Sequence, residues 1–397
     1  FGPLLASPPA ARRSLLEHVQ ASGEHLLRYG RFGTLHAAMR DAVLDRERLR
    51  AVALANEVCP YYLAQELARW ADVVVGDYNY WFDGSALLFA LTQAEGWRVA
   101  VLVDEAHNLV ERARRMYTAE LTPLALAAAR KSASGTVKKA LDGLSRAWNA
   151  LARTQHAQGA AYQTHEDLPD ALLHAVQRCI GAMAEAQADQ PLPPGDAVLA
   201  LYWELRQIQS LADVFGPHAL FDISLAPGTP MPAQAGGRAP RATLCIRNVV
   251  PAPHLAARHA AAHTTVLFSG TLSPPQFDRQ LLGLPEHTGW IDVDAPFHAE
   301  QLRVQVAGHI STRWRDRSAS LEPIARIIAR QFAAQPGNYL CFCSSFDYLR
   351  QIAQTVARLA PELPQWAQTP AMDEASRSAF LARFVEGGQG VGFAVLG

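Results

Sequence analysis

Two adjacent carboxylates at the end of an apolar stretch carry the clearest chemical meaning in this chain. Asp104 and Glu105, followed by Ala106 and His107, come directly after Val99-Ala100-Val101-Leu102-Val103. Such a run reads as a buried strand, and the carboxyl end of a strand in an open α/β sheet is where ligands bind. Nucleotide hydrolysis needs one carboxylate to hold the magnesium that bridges the phosphates and a second group to orient or deprotonate the attacking water. Asp104 suits the metal, directly or through water, and Glu105 suits the water. His107 is placed to relay nucleotide state to neighbouring segments. The plainer alternative is a helix that opens on acidic residues facing the positive end of its dipole. The order of these four residues after five apolar ones favours the chemical reading.

A second motif has the same grammar. Ser269-Gly270-Thr271-Leu272-Ser273-Pro274 stands just beyond the apolar stretch Thr264 to Phe268. Hydroxyls on a tight turn beside a nucleotide site can hydrogen-bond an acidic motif and report on the phosphate, although alone such residues are ordinary turn chemistry. A third stretch holds Cys59-Pro60-Tyr61-Tyr62 and then Gly76-Asp77-Tyr78-Asn79-Tyr80-Trp81-Phe82-Asp83. Tyr78, Asn79 and Tyr80 can stack on or hydrogen-bond single-stranded bases, but clustered aromatics serve a core at least as often.

These motifs need strands and helices to hold them. Periodicity predicts helical segments over residues 11 to 58, with Leu15, Val19, Leu26 and Leu27 at helical intervals. A short helix follows from Leu63 to Trp70, then a buried strand over 72–76, a helix over 87–94, the buried strand over 97–103 and a helix from Asn108. Strand and helix alternating so closely imply a parallel sheet covered on both faces. Residues 121–214, rich in Ala, Leu, Gln and Arg, read as an all-helical insertion, and 226–240 as a mobile loop. Strands are expected again at 242–250 and 264–268. A second parallel-sheet unit then begins, with strand 302–306, helix 321–334, strand 338–343 and helix 348–359. The fold class is α/β, two incomplete parallel-sheet domains around an all-helical insertion.

Composition sets outer bounds. At 397 residues the chain exceeds one ordinary domain. With 36 basic and 37 acidic residues it shows no global basic excess of the kind that advertises nucleic-acid binding. The Arg clusters at 112–115 and 313–317 read more readily as solvated helix faces than as phosphate sites. Five scattered cysteines, Cys59, Cys179, Cys245, Cys341 and Cys343, argue against a disulfide framework and for a reducing cytoplasm. No apolar run is long enough to span a bilayer, so no membrane partner is expected. The start at Phe1 and the stop at Gly397, just after a strand-like run, read as cuts through a longer protein.

Taken in order, these segments resemble the DinG/XPD family of iron-sulfur superfamily 2 helicases. That family has Cys-Pro-Tyr ahead of an Asn-Tyr motif, then a DEAH box, a helical arch, a Ser-Gly-Thr-Leu-Ser-Pro motif and a second RecA-like domain. Pro336-Gly337-Asn338-Tyr339-Leu340 and the following Cys341 to Leu349 look like the family's strand and helix start in that second domain. The resemblance runs from about Leu54 to Gly397. It implies ATP hydrolysis coupled to 5′-to-3′ movement on single-stranded or partly duplex DNA. By the same resemblance Asp104 and Glu105 carry over as the magnesium and water residues and His107 as the coupling residue. Ser269, Gly270 and Thr271 would link nucleotide and DNA sites, and Tyr78, Asn79 and Tyr80 would face the DNA path.

Cys59 matches the last of the family's [4Fe-4S] ligands, but residues 1–58 hold no cysteine, and a cluster takes four thiolates. The chain also lacks the Gly-x-x-x-x-Gly-Lys-Ser/Thr phosphate loop and stops before the family's Gly-Ile-Asp and arginine-finger motifs, so the piece alone is expected to be inactive. The implied organisation is a cluster-region remnant over 1–70, a first RecA-like domain over 71–120 and 241–298, the arch over 121–240 and the start of a second RecA-like domain over 299–397. Two readings compete with a helicase. One is a non-catalytic nucleic-acid-binding scaffold that keeps the architecture. The other is a metal-dependent hydrolase using Asp104, Glu105 and His107 as ligands, a poor set because all three come from one strand end.

Overall fold

The structure, a computed structural model, describes residues 4–6, 43–189, 191–227 and 240–395. The chain divides into two compact units, Phe1–Ile291 and Asp292–Gly397.

In the first unit β1 (Leu4–Ala6) pairs antiparallel with β2 (Val43–Leu44) on one side. Asp45 then caps α1 (Arg46–Ala55) by accepting the Arg48 N–H at 2.8 Å, and α2 (Pro60–Ala68) opens on a proline that has no amide to lose there. These two helices bury Leu49, Val52, Leu63 and Leu67 together. β3 (Val73–Val75) takes the other side of β1, also antiparallel. The expected helical segments at Leu15, Val19, Leu26 and Leu27 lie outside the described residues.

The chain continues through α3 (Asn79–Phe82), α4 (Leu87–Glu95), β4 (Ala100–Val103) and a 3-10 turn, Ala106–Asn108, into α5 (Leu109–Met116). It then enters the insertion by β5 (Ala119–Leu121), followed by α6 (Pro123–Ser132), α7 (Gly135–Ala157), β6 (Tyr162–His165), α8 (Asp170–Asp189), α9 (Ala197–Ala212) and β7 (Ala219–Leu225). It leaves by β8 (Ala242–Asn248). The four helices arise where periodicity places them, but the insertion is not all-helical: its strands form an antiparallel sheet in the order β5-β8-β7-β6. β6 is short and polar, Tyr-Gln-Thr-His, and gives no apolar signal of its own. The helices and the buried face of this sheet share one core, in which Leu141, Leu144, Trp148 and Leu205 meet Phe221, Leu244 and Ile246. The predicted loop 226–240 falls mostly outside the described residues.

Past the insertion, α10 (Ala252–Ala261) leads to β9 (Thr264–Leu267), which pairs in parallel with β4, Ala100 opposite Thr264 through Val103 opposite Leu267, and then to α11 (Pro275–Leu282). Behind this pair Leu109, Ala113, Leu255 and Leu282 are buried with Trp81 and Phe82. β3 and β4 exist as predicted, but they are not buried on both faces, and Leu102 is 68% exposed. The reason is topological: β3 joins β1 rather than β4, so β4 has a single neighbouring strand among the described residues.

The second unit holds α12 (Arg317–Ala334), β10 (Asn338–Cys343), α13 (Phe346–Leu359), β11 (Gln365–Ala367), α14 (Glu374–Leu381) and β12 (Gly390–Val395). Its parallel sheet runs β10-β12-β11, with Val391 and Phe393 of the central strand buried against Leu349, Ile352 and Val356 of α13. Gly392 is required there, because a Cβ would lie 2.4 Å from the Phe384 ring. The strand expected over Leu302–Val306 is not formed. Leu302, Val304 and Val306 alternate as a strand would, but they stay exposed with no partner strand among the described residues. No described helix is long and apolar enough to cross a membrane.

Candidate functional site

The parallel pairing of β4 and β9 brings the two motifs together at one sheet edge. Phe268 N–H donates to Val103 O at 3.0 Å and Ala106 N–H to Phe268 O at 3.1 Å, so the two strand ends are laced one residue beyond the ladder. Ala106 is fully buried and starts the apolar stripe Ala106, Leu109, Val110 and Ala113 that anchors α5. The same stripe leaves Asp104, Glu105 and His107 exposed at the rim.

Glu105 adopts φ 48° and ψ 42°, the left-handed region that a non-glycine residue enters at a cost. The turn is held from both sides. Glu105 N–H donates to Asp104 Oδ1 at 2.8 Å, while the Tyr78 hydroxyl donates to Asp104 O at 2.5 Å and Glu105 O at 2.9 Å. Burial first, and then the Asp104 carboxylate, pushes the Tyr78 phenol above its ordinary value, which keeps it a donor. Arg112 of α5 donates to Asp77 Oδ2 at 2.8 Å and lies 5.8 Å from the Tyr78 ring centroid, fixing the segment that carries that tyrosine.

His107 Nδ1 sits 2.7 Å from Ser269 Oγ and 3.2 Å from Glu105 Oε2. Ser269 Oγ in turn accepts the Thr271 N–H at 3.3 Å. A single imidazole nitrogen therefore lies between the carboxylate and the hydroxyl turn. Of the residues singled out in the sequence, Asp104, Glu105, His107, Ser269 and Thr271 converge here, and Gly270 lies exposed in the same turn.

Tyr78 joins them as well, since its hydroxyl fastens the acidic turn. Asn79 is exposed at the start of α3, where its N–H donates to Asp77 Oδ1 at 3.1 Å. Tyr80 is half-buried, and burial raises its phenol. Asp278, which sequence reasoning passed over, is buried on α11, where burial raises its carboxyl and the nearby His107 opposes the rise. An acidic residue in the first turn of a helix was its only signal in the sequence.

Asp104 offers hard oxygen to a magnesium–nucleotide complex, which fits the ligand preference of that ion. The cluster is a different case. Cys59 is exposed at the N-cap of α2, Cys179 is buried in the insertion, Cys245 lies on β8, and Cys341 and Cys343 lie on β10. Among the described residues no three His, Cys, Asp or Glu side chains are placed to hold a metal ion. The thiols of this chain do not fit a four-thiolate cluster, and Asp104, Glu105 and His107 do not form a metal-holding set.

Known proteins supply independent comparisons. Residues 20–126 match the family model described as DEAD_2. The regulator of telomere elongation helicase 1 homolog of Anopheles gambiae is 33% identical over 104 residues, which is 25% of this chain and 10% of that protein. The regulator of telomere elongation helicase 1 of Homo sapiens is 32% identical over 94 residues, 24% of this chain and 8% of that protein. The matched stretches thus span about a tenth of those relatives. A solved structure titled XPD_Helicase aligns over 88% of this chain and 58% of its own, at 16% identity and a TM-score of 0.43. Over residues 20–126 the chain is thus similar to the DEAD_2 family, and the relatives that share about a quarter of it are named as helicases.

Proposed function

We propose that this chain carries part of the motor of an ATP-dependent DNA helicase, in which nucleotide hydrolysis drives 5′-to-3′ movement along single-stranded DNA. The observation that carries the reading is the 2.7 Å contact between His107 Nδ1 and Ser269 Oγ, which joins the acidic turn after β4 to the hydroxyl turn after β9. In this reading Asp104 would hold the magnesium that accompanies ATP, which would supply neutralisation of the phosphate charge. Glu105 orients the attacking water and draws off its proton, a role that positioned carboxylates fill in general base catalysis. His107 senses the Glu105 carboxylate on one side and passes its position to Ser269 and Thr271 on the other. Tyr78 holds the turn in its strained shape, while exposed Asn79 beside it is open to the DNA strand.

The test is the ATPase rate of the natural full-length gene product, with and without single-stranded DNA. DNA-stimulated turnover that falls by roughly 10²–10⁴-fold in Glu105→Gln is the expected result. Turnover that survives Glu105→Gln unchanged removes Glu105 from the chemistry. A protein that binds DNA without any turnover is instead a nucleic-acid-binding scaffold.

A further inference from the structure

The insertion contains a cleft of about 280 Å³, lined by residues of α7, β6, β7 and the turn before α8. Three polar residues stand in it where the local pattern calls for apolar ones. α7 buries Leu141, Leu144, Trp148, Ala152 and then Gln155 along one stripe, so the carboxamide of Gln155, only 2% exposed, occupies a core position. On β6, Gln163 and His165 are the register partners of Ile223 and Phe221, both buried, and therefore share their face of the sheet.

Each of the three leaves an atom without a hydrogen-bond partner. Gln155 Nε2 donates to Ile223 O at 2.9 Å, but Gln155 Oε1, Gln163 Oε1 and His165 Nε2 are buried and unpaired. Buried polar groups are normally satisfied, and positions that break the local pattern are where function is expected. The exposed Asp167 adds an anion to the lining, and Leu168 contributes an apolar wall.

We propose that this cleft binds a guanidinium group, the arginine side chain of a protein partner. Two carboxamide oxygens and a carboxylate ask for a ligand rich in donors, and His165 Nε2 accepts as well when Nδ1 carries the proton. Guanidinium has five N–H donors and no acceptor, is planar, and is weakly enough hydrated to lie against aliphatic walls. The ammonium of lysine is a compact and strongly hydrated charge.

The probe is Nα-acetyl-arginine methylamide, titrated into the full 397-residue chain by calorimetry, with the lysine analogue and adenosine as comparisons. Saturable binding of the arginine compound is expected, weaker by about tenfold in Gln163→Leu, the loss equivalent to one charge-assisted hydrogen bond. Gln163→Leu restores an aliphatic residue to a core-facing position, so its melting temperature should hold or rise. Gln163→Glu, which adds an anion, should tighten binding, and it decides the matter if the leucine variant fails to fold. No saturable arginine binding, equal binding in a folded Gln163→Leu variant, or a preference for adenosine or the lysine analogue would overturn the proposal. The outcome is independent of ATPase activity, so it stands or falls apart from the helicase reading.

Discussion

His107 Nδ1 lies 2.7 Å from Ser269 Oγ across 162 residues of sequence. Removing either partner breaks the same link, so the two substitutions should not add. His107→Ala and Ser269→Ala are each expected to lower DNA stimulation of the ATPase by up to about tenfold, with the double variant no worse than the more damaged single one. Additive losses in the double-mutant cycle would show that the two residues act separately.

Tyr78→Phe keeps the ring and removes the hydroxyl that holds the carbonyls of Asp104 and Glu105. The stability cost should be about 1 kcal/mol. The effect on turnover should be larger, roughly tenfold or more, because small displacements of a positioned carboxylate are expensive in rate. Melting curves and steady-state kinetics on the same preparation separate the two effects.

Acid should weaken the first unit through its histidines. The His254 ring stacks on Tyr117 at a centroid distance of 4.0 Å and meets His218 edge-on at 4.9 Å. Burial pulls its pKa down to about 4, with the charges of His218 and Arg258 acting in the same direction. The folded state therefore stays neutral while the unfolded chain, titrating near the ordinary 6.5, takes up a proton. Stability from this group is full above pH 6.5 and declines as pH falls toward 4. Burial lowers His259 to about 4 as well, adding to the same decline. His254→Phe preserves a ring for the stack and removes one titration, so its melting temperature should fall less steeply over this window.

Gly392→Ala places a methyl group against Phe384 in the central strand of the second unit. Overpacking of this kind typically costs about 1–3 kcal/mol. Urea titration should show a lower midpoint, and Gly392→Ala combined with Phe384→Leu should recover part of the loss.

Sequence patterns revealed the parts of the site that depend on chain-local order. The apolar runs before Asp104 and Ser269 gave the strands, and the residue types after them gave the candidates for chemistry. The pairing partner of Tyr78 was not legible, because a hydroxyl reaching the carbonyls of residues 104 and 105 is a tertiary contact with no periodic trace. β6 was missed for a related reason: two of its four residues face a core yet are Gln and His. Leu302 to Val306 shows the opposite failure, since strand alternation without a neighbouring strand does not make a ladder.

The insertion enters and leaves the first unit through paired strands. Ala119 on β5 is opposite Ile246 on β8, and the Asn248 N–H donates to Thr118 Oγ1 at 3.0 Å. Its two ends thus stand side by side, and its core is closed on itself. To the parent fold the whole excursion is equivalent to a hairpin turn. A change in the length of the insertion can therefore be absorbed beyond this paired-strand neck without disturbing the strands that present Glu105 and Ser269.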